Sequence, residues 1–295
     1  GRMMYVEEQW EARLDYALAE SFCKVRMEEL FDIVADYPDS LPAVRELRVA
    51  LERTRMHGLL AQSLRGSLER RLIHPGANTG QIIEVYINTI KVLRVIDPSD
   101  GLLEAVAQPV RSYLRGRNDA VRCIITRLTD EKADGDLHEE VRRQDARPLE
   151  QTQLDSDDED DAPDPNWQPP SKNQQQSQNN NGTTSTTSRG GWDILSVLVG
   201  IYGSKELFMN EYRVMFADKV LQNLDFDTDK EVHNLELLKL RFGENSMRQC
   251  EVMIKDMDDS KRINSNIRST LATSRRTPPF LLSAAIVSHI FWPPL

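Results

Sequence analysis

The sequence predicts a mainly all-α protein: two helical modules, a disordered segment between them, and one β-strand near the C-terminal end. Three observations predict it. Apolar residues recur at spacings of three and four over residues 5–128 and again after Asp193, the period of helices with one buried side. Proline, glycine and capping residues punctuate these runs at helix-sized intervals. Between them, residues 130–191 hold fifteen acidic and six basic side chains, a net −9 of the chain's total −10. That stretch continues into Gln/Asn and Thr/Ser runs, with too few apolar groups to offset the entropy of ordering. The predicted organisation is a helical-repeat module over residues 1–128, an acidic and Gln/Asn/Ser/Thr-rich linker over 129–191, and a second helical module over 192–295.

The elements of the first module follow in order. Leu14, Leu18 and Phe22 open a helix at i, i+4 and i+8, and Leu30, Phe31 and Val34 extend it. Tyr37-Pro38 breaks it, because the residue before a proline is pushed out of the α region. Ser40, ahead of Pro42, is a start signal. Val44, Leu47 and Leu51, then Leu60, Leu64, Leu68 and Leu72, mark one side of a single long helix that His74-Pro75-Gly76 stops. Asn78 or Thr79 caps a helix with Ile82, Ile83, Tyr86, Ile87, Ile90 and Leu93 on its apolar face. After Asp97-Pro98, a helix through Leu103, Val106 and Val110 should be kinked or split by Pro109. Asn118 or Asp119 caps a last stretch through Val121, Ile124, Ile125 and Leu128. Four or five antiparallel helices result, and none can bury its stripe alone.

The second module repeats the logic. Ile194, Leu195, Leu198 and Ile201 form a short piece broken near Gly200 and Gly203. Ser204 caps a helix carrying Leu207, Phe208, Tyr212, Phe216 and Val220. Thr228 with Glu231 reads as a capping box for a helix through Val232, Leu235, Leu238 and Phe242, which ends at Gly243. A further helix uses Met247, Cys250, Met253, Ile254, Met257 and Ile263. Residues 281–290 are apolar, with β-branched Ile286 and Val287, and are predicted as the strand.

Most chemistries find no support. The helical segments together are near neutral, so no basic face points to nucleic acid. The longest apolar stretch, 280–292, is too short for a membrane span. Cys23, Cys123 and Cys250 lie far apart, without the spacing of a disulfide framework or a zinc site. They read as small core residues of a protein kept in a reducing compartment. No cofactor or metal is expected. The run from Gly200 to Lys205 has the wrong spacing and residue order for a phosphate loop and reads as a turn. Adjacent acidic pairs such as Glu28/Glu29 and Asp258/Asp259 do not face one another on a helix, so they read as solvated faces. The stripe Phe208, Tyr212 and Phe216 reads as core. Ser156, followed by Asp157, Asp158 and Glu159, suits an acid-directed kinase, against the plainer reading of a solvated acidic stretch. No nucleophile with a base and an acid emerges, and the expectation is a protein that is not an enzyme.

A resemblance sharpens this picture. The block from Asn234 to Gly243, containing Leu238, the pattern Glu251-x-Met253-x-x-Asp256-Met257-x-x-Ser260 and the run on to Asn264 resemble the cullin homology region. Residues 204–221 are similar to the helix that precedes it. Residues 31–40, 51–54, 72–76, 201–205 and 291–294 match one member of the family further, and the acidic linker falls where that member has one. The resemblance implies a cullin-repeat module followed by the first part of a cullin homology domain. It implies a non-catalytic scaffold subunit of a large RING-type ubiquitin ligase acting on cell-cycle regulators. The implied partners are a small RING subunit, the other subunits of the complex and, indirectly, a ubiquitin-charged conjugating enzyme. Nucleic acid and membrane are not among them. Leu282, Ala284, Ile286, Phe291 and Trp292 are candidates to lie near the RING subunit's strand, because an exposed sheet edge offers backbone pairing; filling the end of the bundle is the competing role.

The other reading is a generic helical-rod tether or adaptor with no ubiquitin role, which has no reason to carry the Leu238–Asn264 block. The chain begins Gly-Arg and stops soon after Trp292, and is expected to be a piece of something longer. Proteolysis is expected to cut first within residues 130–191 and to leave two resistant fragments.

Overall fold

A computed structural model describes residues 2–98, 101–129, 194–202, 204–223, 227–273 and 283–294. Among them eleven helices form and no strand does. The linker predicted over 129–191, with Ser156, falls outside the described residues except for Thr129. Leu281 and Leu282, the start of the predicted strand, lie outside them too. Contacts group the chain into two units that meet in sequence between Ala120 and Val121.

The first unit holds α1 (Arg2–Glu28), α2 (Leu30–Ala35), α3 (Leu41–Thr54), α4 (His57–Arg71), α5 (Thr79–Ile96) and α6 (Gly101–Arg115). α1 packs on α3 and α3 on α5, while α2 packs on α4 and α4 on α6. Two ladders of alternate helices result, joined by α5 against α6 and α2 against α5. This next-but-one packing is how helical repeats share a continuous core. Val44, Leu47 and Leu51 on α3, Leu60 and Leu64 on α4, and Ile82, Tyr86 and Ile90 on α5 are fully buried. The turn after α6 is tied back by Arg117, which donates to the Ala77 carbonyl and to Thr79 Oγ1, each at 2.7 Å. Thr79 in turn donates to Asp119 at 2.6 Å.

Several expectations are corrected here. The single helix predicted from Val44 to Leu72 is two helices, α3 and α4, parted at Arg55, whose φ of 54° is left-handed. The reason is one of phase. Leu51 and Leu60 are nine residues apart, about two and a half turns, so an unbroken helix would put the two leucine stripes on opposite sides. The break lets both stripes face a core. On α1 the predicted stripe points outward: Leu14 is 66% and Leu18 71% exposed, and the buried face is Ala19, Cys23 and Met27. α3 packs on α1, with Cys23 Sγ 3.5 Å from Thr54 Oγ1. The helix expected to run on from Phe22 to Val34 stops at Glu28 and restarts as α2. Pro109 does not split α6, which runs through it. The missing hydrogen bond is offset by the buried stripe Leu102, Leu103, Val106, Val110 and Leu114.

Caps divide in the same way. Asn78 accepts from the Gly80 amide at 2.8 Å, and Ser204 accepts from Glu206 and Leu207, as predicted. Ser40 sits at the start of α3, but its hydroxyl donates to the Ile33 carbonyl. The capping box at Thr228 does not form: its hydroxyl bonds Asp258 at 3.3 Å, and Glu231 pairs with Lys219 at 3.6 Å. In both cases a tertiary partner outcompetes the local one.

The second unit holds α7 (Ala120–Thr129), α8 (Ile194–Gly200), α9 (Lys205–Gln222), α10 (Asp229–Phe242) and α11 (Glu244–Thr273). α11 packs on both α9 and α10. The aromatic stripe of α9 is core, as predicted, with Phe208 stacked on Phe242 at 5.5 Å. Lys205 Nζ donates to the Phe242 carbonyl at 2.6 Å, placing a cation at the carboxyl end of α10 where the helix dipole favours it. The run from Gly200 to Lys205 is thus a helix-to-helix turn, with Gly203 outside the described residues. Gly243, at φ 82° and ψ 153°, separates α10 from α11 in a conformation that is essentially glycine's alone. α7 is held by Arg122, which donates to Glu211 at 2.6 Å, and by the Thr129 carbonyl, which accepts from Asn234 at 3.3 Å. Among the described residues no helix is long and apolar enough to cross a membrane.

Candidate functional site

Among the described residues of the second unit, a dense set of polar contacts lies along α11. Its apolar face carries Met247, Cys250, Met253 and Met257, all buried. Beyond Met257 the buried positions become polar: Ser260 and Asn264. With Asp256 they form a row at i, i+4 and i+8, which the helical period brings to one face. That row holds the backbone of residues 284–288.

Asn264 Nδ2 donates to the Ala284 carbonyl at 2.7 Å, and the Ala284 amide donates to Asn264 Oδ1 at 3.2 Å. One helical turn back, Ser260 Oγ accepts from the Ile286 amide at 2.8 Å and lies 3.2 Å from the Ile286 carbonyl. The single hydroxyl proton of Ser260 has a nearer acceptor, the Asp256 carbonyl at 2.8 Å. A turn further back, Asp256 Oδ2 accepts from the Ser288 amide and from Trp292 Nε1, both at 2.8 Å. Its Oδ1 accepts from the Ser288 hydroxyl at 3.0 Å. The segment runs antiparallel to α11, and every second residue is held. Four residues of helix rise about 6 Å and two of strand about 6.6 Å, so the two ladders stay in step over three rungs.

The residues matched to the cullin pattern all find places in this unit. Leu238 on α10 and Met253 and Met257 on α11 are buried, and the two helices pack on each other. Gly243 supplies the turn. Glu251 pairs with Lys239 across the same two helices. Asp256 and Ser260 are two rungs of the ladder. Asn264, the third, closes the run 259–264 that resembles the family; it is a polar residue in step with Asp256 and Ser260, where the apolar period points to Ile263 as the core position. Ile263 is half-buried and Asn264 is buried. Among the candidate interface residues, Ala284 and Ile286 have exposed side chains, Phe291 is half-buried and Trp292 is buried. Leu282 and Ser156 lie outside the described residues.

The chemistry available here is recognition by hydrogen bonding. No group of His, Cys, Asp and Glu among the described residues is arranged to hold a metal ion. Burial pushes the Cys250 thiol up to about 12 and raises that of Cys23, so neither is a ready nucleophile.

Residues 7–117 match a family model described as ANAPC2-like, TPR repeats. Anaphase-promoting complex subunit 2 of Homo sapiens is 46% identical over 293 residues, which is 97% of this chain and 34% of the relative. Over nearly its whole length the chain is a homologue of anaphase-promoting complex subunit 2. The subunit 2 of Arabidopsis thaliana is 41% identical, covering 97% of this chain and 35% of its own length. That of Schizosaccharomyces pombe is 27% identical over 96% of this chain. The chain thus spans about a third of the length of the curated subunit 2 relatives it matches. The family model covers the helical ladders of the first unit, and the subunit 2 matches extend across the second, where the α11 ladder lies.

Proposed function

We propose that this chain serves in a cullin-like scaffold subunit of the anaphase-promoting complex, a RING-type ubiquitin ligase. On this reading it makes and breaks no bond itself. It positions the small RING subunit, and through it a ubiquitin-charged conjugating enzyme, for ubiquitination of cell-cycle regulators in nucleus and cytoplasm. Other subunits of the complex are its further partners. The observation that carries the reading is the likeness to anaphase-promoting complex subunit 2 over 97% of the chain. Positioning is a sufficient contribution, because holding two reactants in place lowers the barrier by itself.

The candidate contact for the RING subunit is the segment 282–292. Ala284 and Ile286 keep exposed side chains, and the backbone groups of Ala285 and Val287 make no hydrogen bond among the described residues. An extended segment held along one edge can pair along the other. Trp292 and Phe291 contribute by fixing the end of that segment.

The test is capture of the small RING subunit, scored by discharge of ubiquitin from a charged conjugating enzyme. This chain is compared with one extended to the full length of its relatives. Capture and discharge by the extended form support the scaffold reading. If the extended form captures nothing, the helical tether takes its place.

A further inference from the structure

We infer that Asp256, Ser260 and Asn264 are positioning residues: together they set the register of residues 284–292, in place of a neighbouring β-strand. Three observations carry this. Within residues 284–288 the three side chains engage only the even-numbered positions, 284, 286 and 288, and each engages the backbone rather than the side chain alone. Backbone groups carry no sequence identity, so such a ladder by itself tolerates a slip of two residues. Asp256 removes that freedom, because the carboxylate that holds the Ser288 amide also holds the indole of Trp292, and Trp292 is buried. A slip would leave that indole N–H and the carboxylate unmatched in a part-buried site.

A slip of one residue would be worse, since it would exchange the faces on which Ala284 and Ile286 lie with those of Ala285 and Val287. The functional consequence rests on the proposed scaffold reading: register decides which backbone groups face the RING subunit. The ladder itself does not depend on that reading.

The experiment is residue-resolved amide exchange on the full chain, alone and with the small RING subunit. The amides of Ala284, Ile286 and Ser288 are expected to exchange at least about tenfold more slowly than those of Ala285 and Val287. Asn264→Leu should remove the protection at Ala284 about tenfold, and Asn264→Asp, which keeps the acceptor, should retain most of it. The double variant S260A/N264L is followed by circular dichroism to establish that helix content is unchanged. In that variant, RING capture should weaken about tenfold. Equal exchange rates along 284–288, or a pattern that none of the variants changes, overturns the inference whatever capture shows. An alternating pattern that responds as stated, with capture untouched, upholds the register ladder and counts against the RING reading instead.

Discussion

Asp256 gathers three donors on one carboxylate: the Ser288 amide, the Ser288 hydroxyl and the Trp292 indole. Hydrogen bonds to a charged acceptor contribute about 1.5–3 kcal/mol each. A double-mutant cycle between Asp256→Ala and Trp292→Phe is expected to give a coupling of about 1–3 kcal/mol in urea unfolding. Additive effects would mean that the indole contact is not made in solution. A second residue-scale prediction concerns His57, which is buried at the start of α4, its Nδ1 without a hydrogen-bond partner among the described residues. Burial holds its pKa below the ordinary 6.5, against the opposing pull of Asp97 and Glu52. The native state therefore binds this proton less readily than the unfolded chain does. The stabilisation is complete above about pH 6.5 and is lost as the pH falls through the depressed folded value. The urea midpoint of the protein should fall more between about pH 7.5 and 5.5 than that of His57→Gln. Parallel curves would sink the assignment.

At the scale of elements, helices are bounded by local chemistry but faced by their neighbours. Leu18 and Leu47 show the difference. Both belong to leucine stripes, yet Leu18 is exposed on α1 and Leu47 is fully buried on α3. Leu47→Ala should cost about 2–5 kcal/mol, and Leu18→Ala within about 0.5 kcal/mol, measured by chemical denaturation. Between α10 and α11, Gly243 turns the chain in open space, where an added Cβ meets no atom within 4 Å. The cost of Gly243→Ala is therefore backbone strain alone, about 1–3 kcal/mol, and a thermal melt showing no loss would contradict the φ of 82°. Periodicity located most helices, and the polar starts at Asn78 and Ser204 were legible because their partners are two or three residues away. The starts at Ser40 and Thr228 were not, because Ile33 and Asp258 lie on other elements.

At the scale of the whole molecule, each unit has its own buried stripe, of leucine and isoleucine in the first and of methionine and aromatic residues in the second. Leu47→Ala and Met253→Ala, one in each, are expected to add within about 0.5 kcal/mol. A coupling above about 1 kcal/mol would join the two cores energetically. The sequence by itself determined the all-α class, the positions of Gly243 and the aromatic core of α9, and a block from Leu238 to Asn264 that pointed to the cullin family. All of these rest on local spacing, which the chain carries in its own order. Only the tertiary structure decided which face of α1 is covered, where the leucine helix breaks, and what Asp256, Ser260 and Asn264 are for. Their partners lie twenty to thirty-six residues away along the chain, and hydrogen bonds to a distant backbone leave no mark in sequence beyond a polar residue in an apolar row.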